Sequence, residues 1–354
     1  PLPRPAAGAA AHPPLEHLPT STAGAVDVDA VPPFVVAEPP VVRVFHLPAT
    51  RRLVVDTGAI RATFCVATGH CVSVLDYRVS AARPREVMAG GGDGGGGRLL
   101  LCSDAPWFWD AWDVFPYVLE KVRPAGTAAT TVAVLETGPL RAVLRVTMPA
   151  LYDGSASWLV QDVILTAGSA SIEYDTVVEW REAHTLLKVD FPVAVAAAAG
   201  VYEVQYGAIE RSTHTNRSSD VMALECCGHR WADLSAPDYG VALLNDCKYG
   251  YTVKGNHLML SLLRAPKAPD ADCDMGRHTF RYAILPHLGH VRASGTVVAA
   301  ARHFAAPPAL AVVAPAAAGT VPVAAPLPPV SFFDVTPQLG CADTVVRTAG
   351  WKPN

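Results

Sequence analysis

Aromatic and acidic side chains crowd one short stretch, Asp104-Ala-Pro-Trp107-Phe-Trp109-Asp110-Ala-Trp112-Asp113-Val-Phe115-Pro-Tyr117. An indole ring can stack on the C–H face of a pyranose while a neighbouring carboxylate accepts hydrogen bonds from its hydroxyls. In an extended chain successive side chains point to opposite faces. Phe108, Asp110 and Trp112 would then share one side, with Trp107, Trp109 and Asp113 on the other. The same residues suit a sheet rim whose tryptophans enter the core and whose acids cap turns. Residue types alone leave both readings open.

A second concentration runs from His229 to His287. Gly240 to Asn245 is a short apolar run that stops at the turn pair Asn245-Asp246, and Tyr249 to Val253 resumes it. Lys254-Gly255-Asn256 then turns the chain and His257 to Leu263 returns, so the spacing predicts an antiparallel meander. Its connections carry Asp246, Lys248, Lys254, Asn256, Arg264, Lys267, Asp270, Asp272, Asp274, Arg277 and His278. Polar groups on loops held by a rigid sheet are where binding chemistry gathers. Charged turn residues also occur merely as solvated surface.

Other chemistries find less support. Residues 90 to 97 read GGGDGGGG and formally contain a GxGxxG pattern. A dinucleotide fingerprint needs a helix next, but the tract runs into the strand-like Arg98-Leu-Leu-Leu-Cys102, so a flexible hairpin loop is expected. The 8 cysteines form no CxxC pair, and in a chain of 354 residues they read as reduced, partly buried thiols. The 12 histidines are scattered, and His278, His287 and His290 have no zinc-motif spacing, so no metal site is expected here.

Length and composition set the frame. With 51% hydrophobic residues the chain can bury a sizeable core, in one large or two medium domains. A net charge of −4 with 17% charged residues favours neither nucleic acid nor an anionic membrane surface. The apolar stretches are Ala/Pro-rich and broken, so no membrane-spanning helix is predicted. No charged segment followed by an apolar one opens the chain, so no signal peptide is visible. A start at Pro1 suggests a fragment or a processed chain.

The elements that must position these residues are strands. Residues 1–30 read as a Pro/Ala-rich linker or disordered segment. From Val41 short runs succeed one another: Val41 to Leu47, Arg52 to Asp56, Ala59 to Val66 and Cys71 to Asp76. Thr130 to Thr137, Leu140 to Pro149, Ser157 to Leu165 and Ser171 to Glu179 continue, then Leu186 to Val195 and Val201 to Tyr206. Ile172, Tyr174, Thr176 and Val178 alternate with Glu173, Asp175 and Val177, and the later runs share the same habit. No amphipathic helix of a dozen residues is evident between 41 and 290. Strict alternation argues against a parallel sheet. The fold class is therefore all-β, a large antiparallel β-sandwich spanning 31–300. A Pro/Ala-rich linker is expected over 301–330, and 331–354 begins a terminal β element.

Long, ordered motifs carry a family resemblance. They stand as WFWDAWDVFPYVLEK (107–121), EWREAHTLLKVDFPV (179–193) and YEVQYGAIERSTHTN (202–216). Further along stand HRWADLSAPDYGVALLNDCKYGY (229–251), LSLLRAPKAPD (260–270), DMGRHTFRYAILPH (274–287) and the weaker SFFDV (331–335). From about Val42 to Val346 the chain resembles the C-terminal β-rich half of a glycoside hydrolase family 38 α-mannosidase, nearest the cytosolic/vacuolar branch. The resemblance implies a supersandwich of the galactose-mutarotase-like kind and a cytoplasmic or vacuolar setting.

It further implies retaining hydrolysis of α-linked mannose from oligosaccharides by an N-terminal catalytic domain, with an Asp nucleophile and a zinc ion. None of that domain's motifs is present, so no catalytic residue and no bound zinc are expected here, and the chain alone should be inactive. A retaining site needs two carboxyls roughly 5 Å apart. Asp110 and Asp113, three apart on a strand, would face opposite sides and do not supply that pair. The positions matching patterned family loops are Trp109, Asp110, Trp112, Asp113, Asn245, Asp246, Lys248, Tyr249, Arg264 and His278. The resemblance implies that some of them border the substrate or fix an interdomain surface. The competing role is structural, with Trp231, Tyr249 and Tyr251 as core aromatics and pairs such as Asp110–Arg264 tying loops. The implied partners are an α-mannoside oligosaccharide and the N-terminal domain, with a homo-oligomer left open. The alternative is a non-catalytic carbohydrate-binding or assembly module.

Overall fold

The computed structural model describes residues 40–89, 95–306, 333–337 and 344–348. Strands form at once because β-branched and apolar runs alternate with turn residues. β1 (Arg43–Leu47), β2 (Arg52–Asp56), β3 (Ile60–Cys65), β4 (Cys71–Asp76) and β5 (Arg85–Glu86) make a five-stranded sheet in chain order. Thr57 shapes the β2–β3 turn: its hydroxyl accepts the N–H of Ala59 (3.2 Å) and Ile60 (3.1 Å) and donates to the Ser169 carbonyl (2.7 Å).

The chain then moves between two larger sheets. β6 (Arg98–Ser103) and β7 (Val122–Pro124) enter one, and β8 (Thr131–Thr137), β9 (Arg141–Met148), β10 (Trp158–Thr166) and β11 (Ile172–Trp180) run as a meander through the other. β12 (Thr185–Pro192) returns to the first, while β13 (Ala199–Val204) and β14 (Gly207–Ser212) form an edge hairpin of the second. A single turn of helix, α1 (Ser218–Met222), leads to β15 (Cys226–Cys227), β16 (Trp231–Ser235) and β17 (Tyr239–Asn245). β18 (Gly250–Lys254), β19 (His257–Arg264) and β20 (Gly276–Leu288) complete the sheets, and α2 (Val291–Ser294) and α3 (Thr296–Ala305) come next. β21 (Phe333–Pro337) and β22 (Thr344–Thr348) pair with each other.

The nine-stranded sheet has the order β14-β13-β16-β17-β20-β11-β10-β9-β8, and the six-stranded sheet β15-β18-β19-β12-β6-β7. Every ladder is antiparallel. The main core draws on all three larger sheets, with Leu53, Leu144, Tyr174, Leu187, Phe191, Leu243, Tyr251 and Leu260 among its buried members. Each such large apolar side chain contributes about 1.5–3 kcal/mol on burial. The fold is the all-β antiparallel sandwich that the alternation implies. β11 shows why: Ile172, Tyr174, Thr176 and Val178 are buried, and the residues between them are not.

Four expectations are corrected. The 240–263 meander is split between sheets, because β17 lies in the nine-stranded sheet and the β18–β19 hairpin in the six-stranded one. The strands on either side of the glycine tract, β5 and β6, do not pair as a hairpin, because they belong to different sheets. β12 does not alternate, since all 8 of its residues are buried. Its Lys188 survives burial by donating to Glu225 Oε2 (2.5 Å) and Ser261 Oγ (2.7 Å).

The fourth concerns the end of the sandwich. α3 runs through residue 301, the first residue of the expected linker. Val297, Ala301 and Phe304 of α3 cover Trp231, Ala242, Leu244 and Leu285 on the outer face of the nine-stranded sheet. That cover makes β17 buried on both faces and gives it an unbroken apolar run. The rest of the expected linker, the 1–30 segment and most of the glycine tract lie outside the described residues.

Candidate functional site

Strand registers bring all the candidate positions to one end of the sandwich. The C-termini of β6, β11, β13, β17 and β19 and the N-termini of β7, β12, β14, β18 and β20 meet there. The connections 104–121, 181–184, 205–206, 246–249 and 265–275 therefore share that end. Gaps in sequence of over a hundred residues close into one surface because the ladders are antiparallel.

The 104–119 connection is not the extended segment expected. The Trp112 and Asp113 N–H groups both donate to the Trp109 carbonyl, at 2.8 and 2.9 Å, and Trp109 sits at φ 57°. This turn abolishes the two-sided alternation. Pro116–Leu119 then forms a 3₁₀ turn whose Val118 packs against Cys102 and Leu186. The tryptophans do not enter the core either: Trp107, Phe108, Trp109 and Trp112 are 79%, 66%, 68% and 65% exposed. Trp109 meets Trp112 edge-on at 6.0 Å, and Trp107 lies 6.0 Å from Phe115.

Arg264, at the end of β19, holds this loop. Its guanidinium forms a two-pronged bond to buried Asp104 and also donates to the carbonyls of Ala111 (3.1 Å) and Asp113. The partner is thus Asp104, not Asp110 as the sequence suggested. Asp110 instead accepts the backbone N–H of Lys267 (2.5 Å) and Ala268 (3.1 Å), with His184 Nδ1 at 3.5 Å from its other oxygen. Arg264 and Asp110 are therefore committed to the scaffold. The Asp113 carboxylate is exposed, with no side-chain partner among the described residues.

The β17–β18 connection is pinned by Asn245, which is buried. Its side chain donates to the His229 carbonyl (2.9 Å) and to the Tyr251 hydroxyl, and accepts the Lys248 N–H (2.5 Å). Asp246 receives the backbone N–H and Nε of Arg281 at 3.1 and 3.2 Å. Trp231 and Tyr251 are buried as expected, but Tyr249 is 58% exposed, edge-on to His229 at 5.7 Å. Lys248 sits over the Phe280 ring at 4.7 Å. Burial lowers its amine below the usual lysine value, against the pull of Cys247, Asp274 and Asp246. Burial and the Asp246 hydrogen bond push the Cys247 thiol up to about 11.

Two clefts flank this connection. Lys248, Arg264 and His278 line one of about 340 Å³ together with Glu225 and Asp274. His278 lies on β20, its ring 2.8 Å from the Asp274 carbonyl. Asn245, Asp246 and Tyr249 line the other, about 260 Å³, with Glu203, Tyr206 and Arg230. Sequence reasoning missed these last three. All three lie within the motifs 202–216 and 229–251, and Tyr206, beside Gly207 in a turn, has a left-handed backbone, φ 60°.

Among the described residues no three His, Cys, Asp or Glu side chains gather to hold a metal ion. All seven described cysteines are unpaired. No helix among the described residues is long and apolar enough to cross a membrane.

The fold and its loop end define an antiparallel β-sandwich domain that presents exposed indoles and polar clefts at one end. The sequence pattern described as "Glycosyl hydrolases family 38 C-terminal domain" matches residues 55–272. This chain belongs to that family. It is 44% identical over 245 residues to alpha-mannosidase 2C1 of Mus musculus, covering 69% of this chain and 23% of that protein. Alpha-mannosidase G of Dictyostelium discoideum is 46% identical over 202 residues, covering 56% of this chain and 18% of that protein. The chain thus spans about a quarter or less of the length of these relatives. An alpha-mannosidase structure from Enterococcus faecalis shares the fold, with TM-score 0.56, 14% identity, and coverage of 73% of this chain and 31% of that one.

Proposed function

We propose that this chain is the β-sandwich portion of a retaining α-mannosidase that removes terminal α-linked mannose from oligosaccharides. Its loop end packs against, and partly walls, the active site carried by the remaining length of such an enzyme. One observation carries this reading. The four large rings of the 107–112 stretch stand 65–79% exposed on a loop that Arg264, Asp104 and Asp110 hold rigid. Monomeric proteins rarely leave such a patch uncovered without an interaction to serve. The relatives, of which this chain spans 23% at most, supply a covering surface of the right origin.

Two carboxylates of the aromatic loop fit this supporting role. Asp104 and Asp110 are taken up by Arg264 and by backbone N–H groups, and neither is free to attack an anomeric carbon. Nucleophile, acid and zinc ligands belong to the N-terminal portion in this reading. Zinc supplies electrostatic and positioning chemistry there when bound.

The test is association. The N-terminal portion of the mouse relative, produced separately, should bind this chain. A Trp107→Ala/Trp109→Ala/Trp112→Ala variant should bind at least about tenfold more weakly, since buried tryptophans dominate interfaces. Equal binding by the variant would sink the docking role. Oligosaccharide binding lost in the variant while association persists would favour the carbohydrate-binding module instead.

A further inference from the structure

The cleft between the β13–β14 turn and the β17–β18 connection has the parts of a sugar subsite. Its wall is Glu203, buried, gripping Arg230: the carboxylate accepts the Arg230 backbone N–H (2.8 Å), Nε (3.0 Å) and Nη2. Both planar groups are thereby fixed, while the Arg230 side chain remains 40% exposed. Two tyrosines stand at the mouth. Tyr249 is half-exposed against His229, and Tyr206 is fully exposed at the tip of the hairpin. Tyr206 is held at φ 60°, a left-handed conformation that side-chain-bearing residues rarely adopt. Strain of this kind gathers at ligand sites.

We propose that this cleft binds one neutral pyranose of an α-mannoside oligosaccharide, with Tyr206 and Tyr249 on its C–H faces and Arg230 donating to its hydroxyls. Three features select this ligand class. The charges are already paired, Glu203 with Arg230 and Asp246 with Arg281, so no unpaired charge awaits an anion. The exposed groups are aromatic rings and hydrogen-bond donors, the pair a sugar uses. The volume, about 260 Å³, lies just below the roughly 300–1,000 Å³ of drug-sized sites and suits a single ring. A neighbouring cleft of about 470 Å³ shares Glu203, Tyr206 and Arg230, so Tyr206 forms a ridge over which a second sugar can continue. The choice of mannoside rests on the proposed function; the subsite rests on the geometry.

Saturation-transfer NMR and calorimetry of this chain with methyl α-mannoside, α-linked mannotriose, and gluco- and galacto-trisaccharides test it. Mannotriose should bind more tightly than methyl α-mannoside. Tyr206→Ala and Tyr249→Ala should each weaken binding about tenfold, the loss of one stacking ring. Both rings are exposed, so melting temperatures should not move, and Leu140→Ser on the opposite end should bind like the parent. Absence of binding by every trisaccharide, or undiminished binding by both tyrosine variants, would overturn the subsite. Tyr206-dependent binding of a gluco- or galacto-trisaccharide alone would uphold the cleft and overturn the mannoside reading.

Discussion

Arg264 illustrates how a residue that looks functional can be architectural. Each of its guanidinium nitrogens donates to the protein, and Asp104 beneath it is 1% exposed. Arg264→Ala strands that carboxylate and should cost about 3 kcal/mol, the low end for breaking a buried pair because Arg264 retains some solvent contact. Urea unfolding should show a lower midpoint at unchanged slope. The type of residue was legible in the sequence, but its partner was not. Asp104 and Asp110 lie six residues apart in one loop: Asp104 is set by the end of β6, its N–H donating to the His184 carbonyl (2.8 Å), whereas Asp110 lies in the turn after Trp109 and receives the Lys267 and Ala268 N–H groups. His257 allows a prediction in pH. Its hydrogen bond to Asp190 (2.9 Å) raises its pKa above the usual 6.5, against burial and the repulsion of Arg98. The charged form is the stabilised one, so this contribution is full below about pH 6.5 and is lost as pH rises through the raised folded-state value. Melting temperatures of the parent and His257→Gln, measured from pH 5 to 9, should converge as pH increases. A gap that widens with pH would contradict the assignment.

At the scale of elements, existence and type were legible wherever one face meets water. β8 to β11 fall within a residue or two of the apolar alternation, because a half-buried antiparallel strand must alternate. The misreadings arose where both faces are covered. β17 and β12 are buried throughout, and nothing local in 240–263 says that β17 and β18 belong to different sheets. α3 escaped notice because its Ala-rich sequence merges with the Ala/Pro-rich stretch behind it. Its packing makes a clear prediction. Phe304→Ala should destabilise by about 3 kcal/mol by opening a cavity against Trp231 and Leu244. Inside the nine-stranded sheet, Gln161 on β10 donates to Thr176 Oγ1 (2.9 Å) and to the Tyr282 hydroxyl (2.7 Å). Tyr282→Phe leaves one of those amide hydrogens unpaired and should cost about 1–2 kcal/mol, read by the same urea titration. A neutral result would show that the side chain has repacked.

For the whole molecule, fold and family could be read from the chain, while the arrangement of its chemistry could not. The candidate residues between Trp109 and His278 were found as separate motifs, and only antiparallel closure shows that they share one end. Within that end they divide: Arg264, Asp110 and Asn245 support, whereas the indoles, Tyr206 and Tyr249 remain available. In the proposed function, such a surface serves an enzyme whose reacting groups lie elsewhere in its length. The most direct measurement is hydrolysis of a chromogenic α-mannoside in the presence of zinc or cobalt. It compares this chain alone, the N-terminal portion of the mouse relative alone, and the two combined. This chain alone should give no turnover, and the combination should turn over faster than the N-terminal portion alone. EDTA-sensitive hydrolysis by this chain alone would contradict the assignment of the chemistry to the remaining length.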